Sequence, residues 1–206
     1  MSESQVNAYF IDDDLVQNSF SSKDDILLEK VISDPSELIE NFSPRFSNKN
    51  LSEAVKELIY GEEKEGYPFH YSFALWIVVD AIAERRPKKP HISYPFIDLY
   101  DFNESLEENT SYSQLLEIFK SLNNEENNKF PYQLMEWGDV PGFAYISKSE
   151  LEAMKSEIKS LKSEIKKEKE WTYDIEEPDD VLHILSWLEQ ASKKKKNLLL
   201  VMEGSL

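Results

Sequence analysis

At 206 residues, with 40% hydrophobic and 12% aromatic content, the chain can bury a sizeable core and does not read as disordered. It has no cysteine, which excludes disulfides, thiolate nucleophiles and Cys-ligated zinc and fits a reducing cytoplasm. The net charge of −17 disfavours nucleic acid and anionic membranes and favours basic partners, although acidic charge also serves simply to keep a protein dissolved.

That charge is unevenly placed: residues 1–150 hold 28 acidic and 13 basic side chains, net −15, and residues 151–206 hold 12 and 10, net −2. No signal peptide is expected at the start of the chain, and its longest apolar run is too short to span a bilayer. A cytoplasmic protein is therefore expected.

In chain order, Val6 to Ile11 alternates and is β-prone, so a first strand is predicted there, ended by Asp12-Asp13-Asp14. One of these carboxylates is placed to cap a short helix over Leu15 to Asn18. Three adjacent aspartates also suit Mg²⁺ or Ca²⁺, but no glycine or further ligands follow at the spacing of a calcium loop, so capping is preferred and no metal is expected. Ser22 and Asp25 form a capping-box pattern ahead of Ile26, Leu27 and Val31. Pro35 can begin another short helix with Leu38 and Ile39, and residues 43–50 are loop-like. Leu51, Val55, Leu58 and Ile59 make one face of a helix ending at Tyr60, with Gly61 as its left-handed cap.

Tyr71 to Glu84 is the longest nearly uncharged apolar run. It predicts one core helix, started after Pro68, stopped by Arg85, Arg86 and Pro87, and enclosed on most sides. Pro87, Pro90 and Pro95 make the next segment stiff and extended. Phe96 to Phe102 suits a short helix or turn, Ser111 to Leu122 a helix, and residues 123–128 a polar loop. The aromatic, turn-rich stretch 130–142 leads to a strand at Phe143–Ile146.

Ser147 and Glu150 form a second capping box, opening a long amphipathic helix over 147–169 that can protrude. Leu151, Met154, Ile158, Leu161 and Ile165 step by three and four along it. This seam of two heptads can pack on its own domain or pair with another helix. Glu177 to Asp180 begins a last helix with Val181, Leu182, Leu185 and Leu188 inward, ending in Lys193 to Lys196. Leu198 to Met202 reads as a buried strand beside the N-terminal one.

The search for chemistry is mostly negative. There is no G-x-S-x-G elbow, no H-E-x-x-H and no phosphate-cradling glycine loop. His70, His91 and His183 are far apart and share no motif. With 40 acidic residues, no single carboxylate pair stands out. If there is a pocket, aromatics and histidine point to Tyr67, His70, Tyr71 and Trp76 at the entry to the core helix, and to Trp137 with Tyr145; ordinary core and rim packing is the competing reading.

The order of elements resembles a known family. Tyr9-Phe10-Ile11-Asp12 before a short helix, Gly66-Tyr67 to Leu75, Pro141-Gly142-Phe143-Ala144-Tyr145-Ile146 with Ser147 and Glu150, and Trp187-Leu188 leading to Leu198–Val201 are similar to segments of uncharacterised bacterial proteins of the YfbM-like type and their longer relatives. The resemblance implies a compact bacterial domain of mixed helices and strands. It implies no activity and no catalytic residues.

The expectation is thus one α+β domain over residues 1–206, mostly helical, packed around a small sheet that includes the N- and C-terminal strands. Its expected function is non-enzymatic binding of a basic protein, as an immunity protein does, with no cofactor, nucleic acid or membrane and as a monomer or weak homodimer. Two other functions fit: an enzyme or small-ligand protein using the Tyr67, His70, Tyr71 and Trp137 region, or an assembly protein using helix 147–169.

Overall fold

Strand β1 (Glu3–Ile11) forms over the alternating segment at the start of the chain. The computed structural model describes residues 3–33, 50–83, 87, 90–95, 110–122, 129–136, 141–167 and 178–203. With β2 (His91–Pro95), β3 (Gly142–Ile146) and β4 (Asn197–Glu203), β1 makes a four-stranded sheet in the order β2-β1-β4-β3. β2 runs antiparallel to β1, with Val6 opposite Ile92, and β3 antiparallel to β4, with Phe143 opposite Val201. The N- and C-terminal strands are neighbours at the centre, as the sequence predicts. The sequence marks β2 only as stiff, extended chain. Its flanking prolines lack an amide donor, and an edge strand is where that is tolerated.

Contacts group the chain into two compact units, one of residues 1–10, 85–129 and 142–206, the other of residues 11–84 and 130–141. The first unit holds the sheet. Successive strand side chains alternate between faces, so Val6, Ala8 and Phe10 share one, and they join Ala144, Ile146, Leu198, Leu200 and Met202 in a common buried core. The last helix of the chain, Pro178–Lys194, adds Ile184, Leu185, Trp187 and Leu188 to that core. Its C-terminus lacks a glycine, and Lys195 takes the left-handed conformation there, at a φ of 55°.

Where one long helix is predicted over 147–169, two form, Lys148–Ala153 and Lys155–Lys167. They are broken at Met154, whose φ of −86° and ψ of 5° end the first. The apolar seam continues through the break: Leu151, Met154, Ile158, Leu161 and Ile165 are all buried in the core of this unit. The predicted capping box is present, with Ser147 Oγ accepting from the Glu150 amide and Glu150 accepting from the Ser147 amide at 2.9 Å. Glu157 reaches from the second of these helices to accept from the Leu115 amide at 3.2 Å, serving an open donor near the start of the helix Ser113–Leu122.

The second unit contains four described helices: α1 (Asp13–Gln17), α2 (Asp25–Ser33), α3 (Leu51–Tyr60) and α4 (Pro68–Ile82). α4 is the predicted core helix. Proline occupies its first turn, where a missing amide costs nothing, so the helix begins ahead of the apolar run. Every residue from Tyr71 to Val79 is buried, and Trp76 has no exposure at all. A helix apolar on all sides can be accommodated only in this way.

α3 ends as predicted at Gly61, which takes a left-handed φ of 69°. At α2 the cap differs from the prediction. Asp24, not Ser22, accepts from the amides of Ile26 and Leu27, at 2.9 and 3.1 Å, and Ser22 Oγ instead accepts from the Asp24 amide. Before α1 it is the carbonyl of Asp12 that accepts from Leu15 and Val16; its carboxylate makes no capping bond.

The helix expected after Pro35, the segment Phe96–Phe102, the run 123–128 and Trp137 lie outside the described residues. Among the described residues, no helix is long and apolar enough to cross a membrane, and no cluster of His, Asp and Glu has metal-ligand geometry.

Candidate functional site

The entry to α4 is the place where the sequence gathers candidate residues, and the second unit builds a polar cluster there. Tyr67 occupies the N-cap position, and its ring meets the half-buried His70 edge-on, with centroids 5.4 Å apart at 85°. One residue on, Tyr71 is 2% exposed and turns inward. Its hydroxyl donates to Glu57 Oε2 at 2.6 Å and accepts from the Lys64 amide at 2.8 Å.

Glu57 is the unusual member. It lies on α3 and is 5% exposed, so its carboxylate needs compensation. Tyr71 supplies one donor, and Lys64 Nζ supplies another at 2.6 Å to Oε1. The lysine itself remains largely in solvent. Three segments are thereby tied together: α3 through Glu57, α4 through Tyr71, and their connector through Lys64.

A second carboxylate ties in the distal stretch 130–136. Glu63 accepts from the Tyr132 hydroxyl through Oε1 and from the Met135 amide through Oε2 at 3.1 Å. Glu136 accepts from the Gly66 amide at 3.2 Å. Phe20 stacks on Tyr132 with centroids 4.5 Å apart and meets Phe130 edge-on at 6.3 Å. Burial, followed by the bond to Glu63 and the charge of Glu63, pushes the Tyr132 phenol well above the ordinary tyrosine range.

Of the residues selected from sequence, Tyr67, His70 and Tyr71 lie together at this helix entry, Tyr67 as the N-cap and the other two in the first turn. Trp76 is further along α4, in the core. Tyr145 lies on β3 in the sheet-containing unit, opposite Leu199. Trp137 follows directly on Glu136, the residue that fastens this stretch to Gly66. Sequence reasoning misses Glu57, Lys64, Glu63 and Tyr132. Glu57 is one of 40 acids, and only its place on a helix that buries Leu51, Ala54, Val55, Leu58 and Ile59 hints at burial. Chemically, the arrangement commits the Tyr71 hydroxyl in both directions, as donor to Glu57 and acceptor from Lys64. A hydroxyl so engaged fixes structure.

The outside of the same unit has a different character. Asp14, Glu29, Glu53, Glu62 and Glu65 are exposed, and among the described residues none meets a basic side chain. Three of the lysines nearby are directed elsewhere, while Lys23 is exposed. Lys64 is bound to Glu57, Lys30 Nζ donates to the Ala81 carbonyl at 2.9 Å, and Lys56 lies over the Tyr60 ring at 5.7 Å.

The model of one family, a domain of unknown function named DUF7691, matches residues 1–202. The chain belongs to that family. No curated protein and no solved structure matches it.

Proposed function

We propose that this member of the DUF7691 family is a non-enzymatic acidic binding protein that engages a basic protein partner, in the manner of an immunity protein that neutralises a toxin. In this reading it works in a bacterial cytoplasm, and its relation to the YfbM-like type is one of shared architecture. One observation carries the reading. Residues 11–84 and 130–141 hold 18 acidic and 6 basic side chains, net −12 of the total −17, and the exposed carboxylates named above face no lysine or arginine among the described residues.

Unneutralised carboxylates on one unit repel each other, so the isolated protein carries an electrostatic cost that a cationic partner relieves. Such a field also steers encounter and speeds association at low salt. The test is co-expression with the basic products of neighbouring genes, followed by association kinetics on any protein whose toxicity is relieved. The association rate is expected to fall by about tenfold or more between low and high salt, because screening shortens the reach of the field. Failure of every basic neighbour to bind, or association indifferent to salt, would overturn the reading.

A further inference from the structure

The outer face of α2 offers a specific place for such a partner. The inner face is settled: Val31 is buried, and Leu27 and Leu28 are half-buried. On the opposite side Ile26 is 80% exposed, and Ile32, six residues on and so about 120° round the helix from it, is 38% exposed at the border of the outer face. Residues three and four apart are neighbours on a helix, so Asp25 and Glu29 lie between and beside these two isoleucines, and both are exposed. The cation on this face, Lys30, is occupied with the Ala81 carbonyl.

The helix is also firmly mounted. Asp24 caps its start, the Tyr60 hydroxyl donates to Asp25, and the Lys23 amide donates to the Ile59 carbonyl at 3.0 Å just before it. The face is therefore preformed, which lowers the ordering cost of binding. Ile26 contributes little to the fold's own burial, and Ile32 leaves over a third of its surface open. Their carboxylate setting selects what can cover them.

We propose that this face is a docking surface for a basic amphipathic segment of a partner protein. Apolar side chains of that segment would cover Ile26 and Ile32 while its lysines or arginines meet Asp25 and Glu29. The proposal rests on the acidic-binding reading and adds its location.

The test uses two synthetic peptides of equal positive charge and length, one repeating leucine with lysine and the other serine with lysine, titrated against the full chain by fluorescence anisotropy. The Leu/Lys peptide is expected to bind about tenfold tighter or more, the gain from burying one or two apolar side chains. The double variant Ile26→Ser, Ile32→Ser should remove that advantage and leave the salt-dependent binding of the Ser/Lys peptide unchanged. Both positions are exposed, and a matching thermal melt confirms the variant's fold. An advantage that survives in the double variant overturns the docking site while the acidic-binding reading stands. No salt-dependent binding of either peptide to the parent chain overturns both.

Discussion

Tyr71→Phe removes a single hydroxyl and keeps the ring that fills the entry to α4. That hydroxyl donates to Glu57 at 2.6 Å and accepts from the Lys64 amide at 2.8 Å, in a residue 2% exposed. A hydrogen bond to a charged group contributes about 1.5–3 kcal/mol net. Glu57 keeps Lys64 Nζ after the change, but the lysine side chain is 60% exposed, so its compensation is diluted by water. The Lys64 amide adds little, because its residue is at the surface. The expected destabilisation is therefore about 2–3 kcal/mol. Urea titration followed by circular dichroism gives the value by linear extrapolation. Combining the change with Glu57→Gln should show a coupling of about 1–2 kcal/mol in a double-mutant cycle. A variant within about 0.5 kcal/mol of the parent, with no coupling, would refute the reasoning, since that is the size of an ordinary surface substitution.

Two further outcomes are expected. Gly61→Ala places a Cβ 2.7 Å from Ser21 Oγ on a residue with φ of +69°, and should cost about 1–2 kcal/mol; an unchanged melting temperature would mean that Ser21 moves aside freely. For Glu150, burial opposes ionisation, but the bonds from the Ser147 amide and hydroxyl and from Lys129 outweigh it, so the carboxyl titrates below its ordinary range. A depressed folded-state value contributes stability that is present above the unfolded value, about 4.3, and is lost as pH falls through the folded one. Stability should accordingly drop on the acid side, and Glu150→Gln should flatten that limb; a variant profile parallel to the parent's would remove Glu150 as a contributor.

The features legible in the sequence are those written by short-range rules. Gly61 follows an apolar helical face and takes the one conformation that a glycine there suggests. Ser147 and Glu150 are three apart and close their box. The run from Tyr71 to Val79 is too apolar to be anything but enclosed. Errors arise where two local rules compete or where the partner is distant. Ser22 and Asp24 can both cap α2, and only the folded backbone, with Lys23 at a φ of 56°, selects Asp24. β2 has prolines at its flank and end, which argue against a strand until an edge position excuses them. The seam from Leu151 to Ile165 has helical spacing on both sides of Met154, so the pattern runs through the break without recording it. The cluster at the α4 entry is the least legible. Tyr132 and Glu63 are separated by 69 residues, and nothing in either neighbourhood names the other.

The division of the chain into interleaved units has a consequence for its synthesis. Among the described residues, Phe20 finds its ring partners in Phe130 and Tyr132, and β1 finds its central neighbour in β4. At about 5–20 residues per second, roughly ten to forty seconds pass on the ribosome between β1 and β4. For that interval Val6, Ala8, Phe10 and Ile11 form an apolar strand with an unpaired edge, open to wrong pairing. Neither unit can close from its leading residues alone. The sheet is therefore completed late, when β4 has emerged to take its place beside β1.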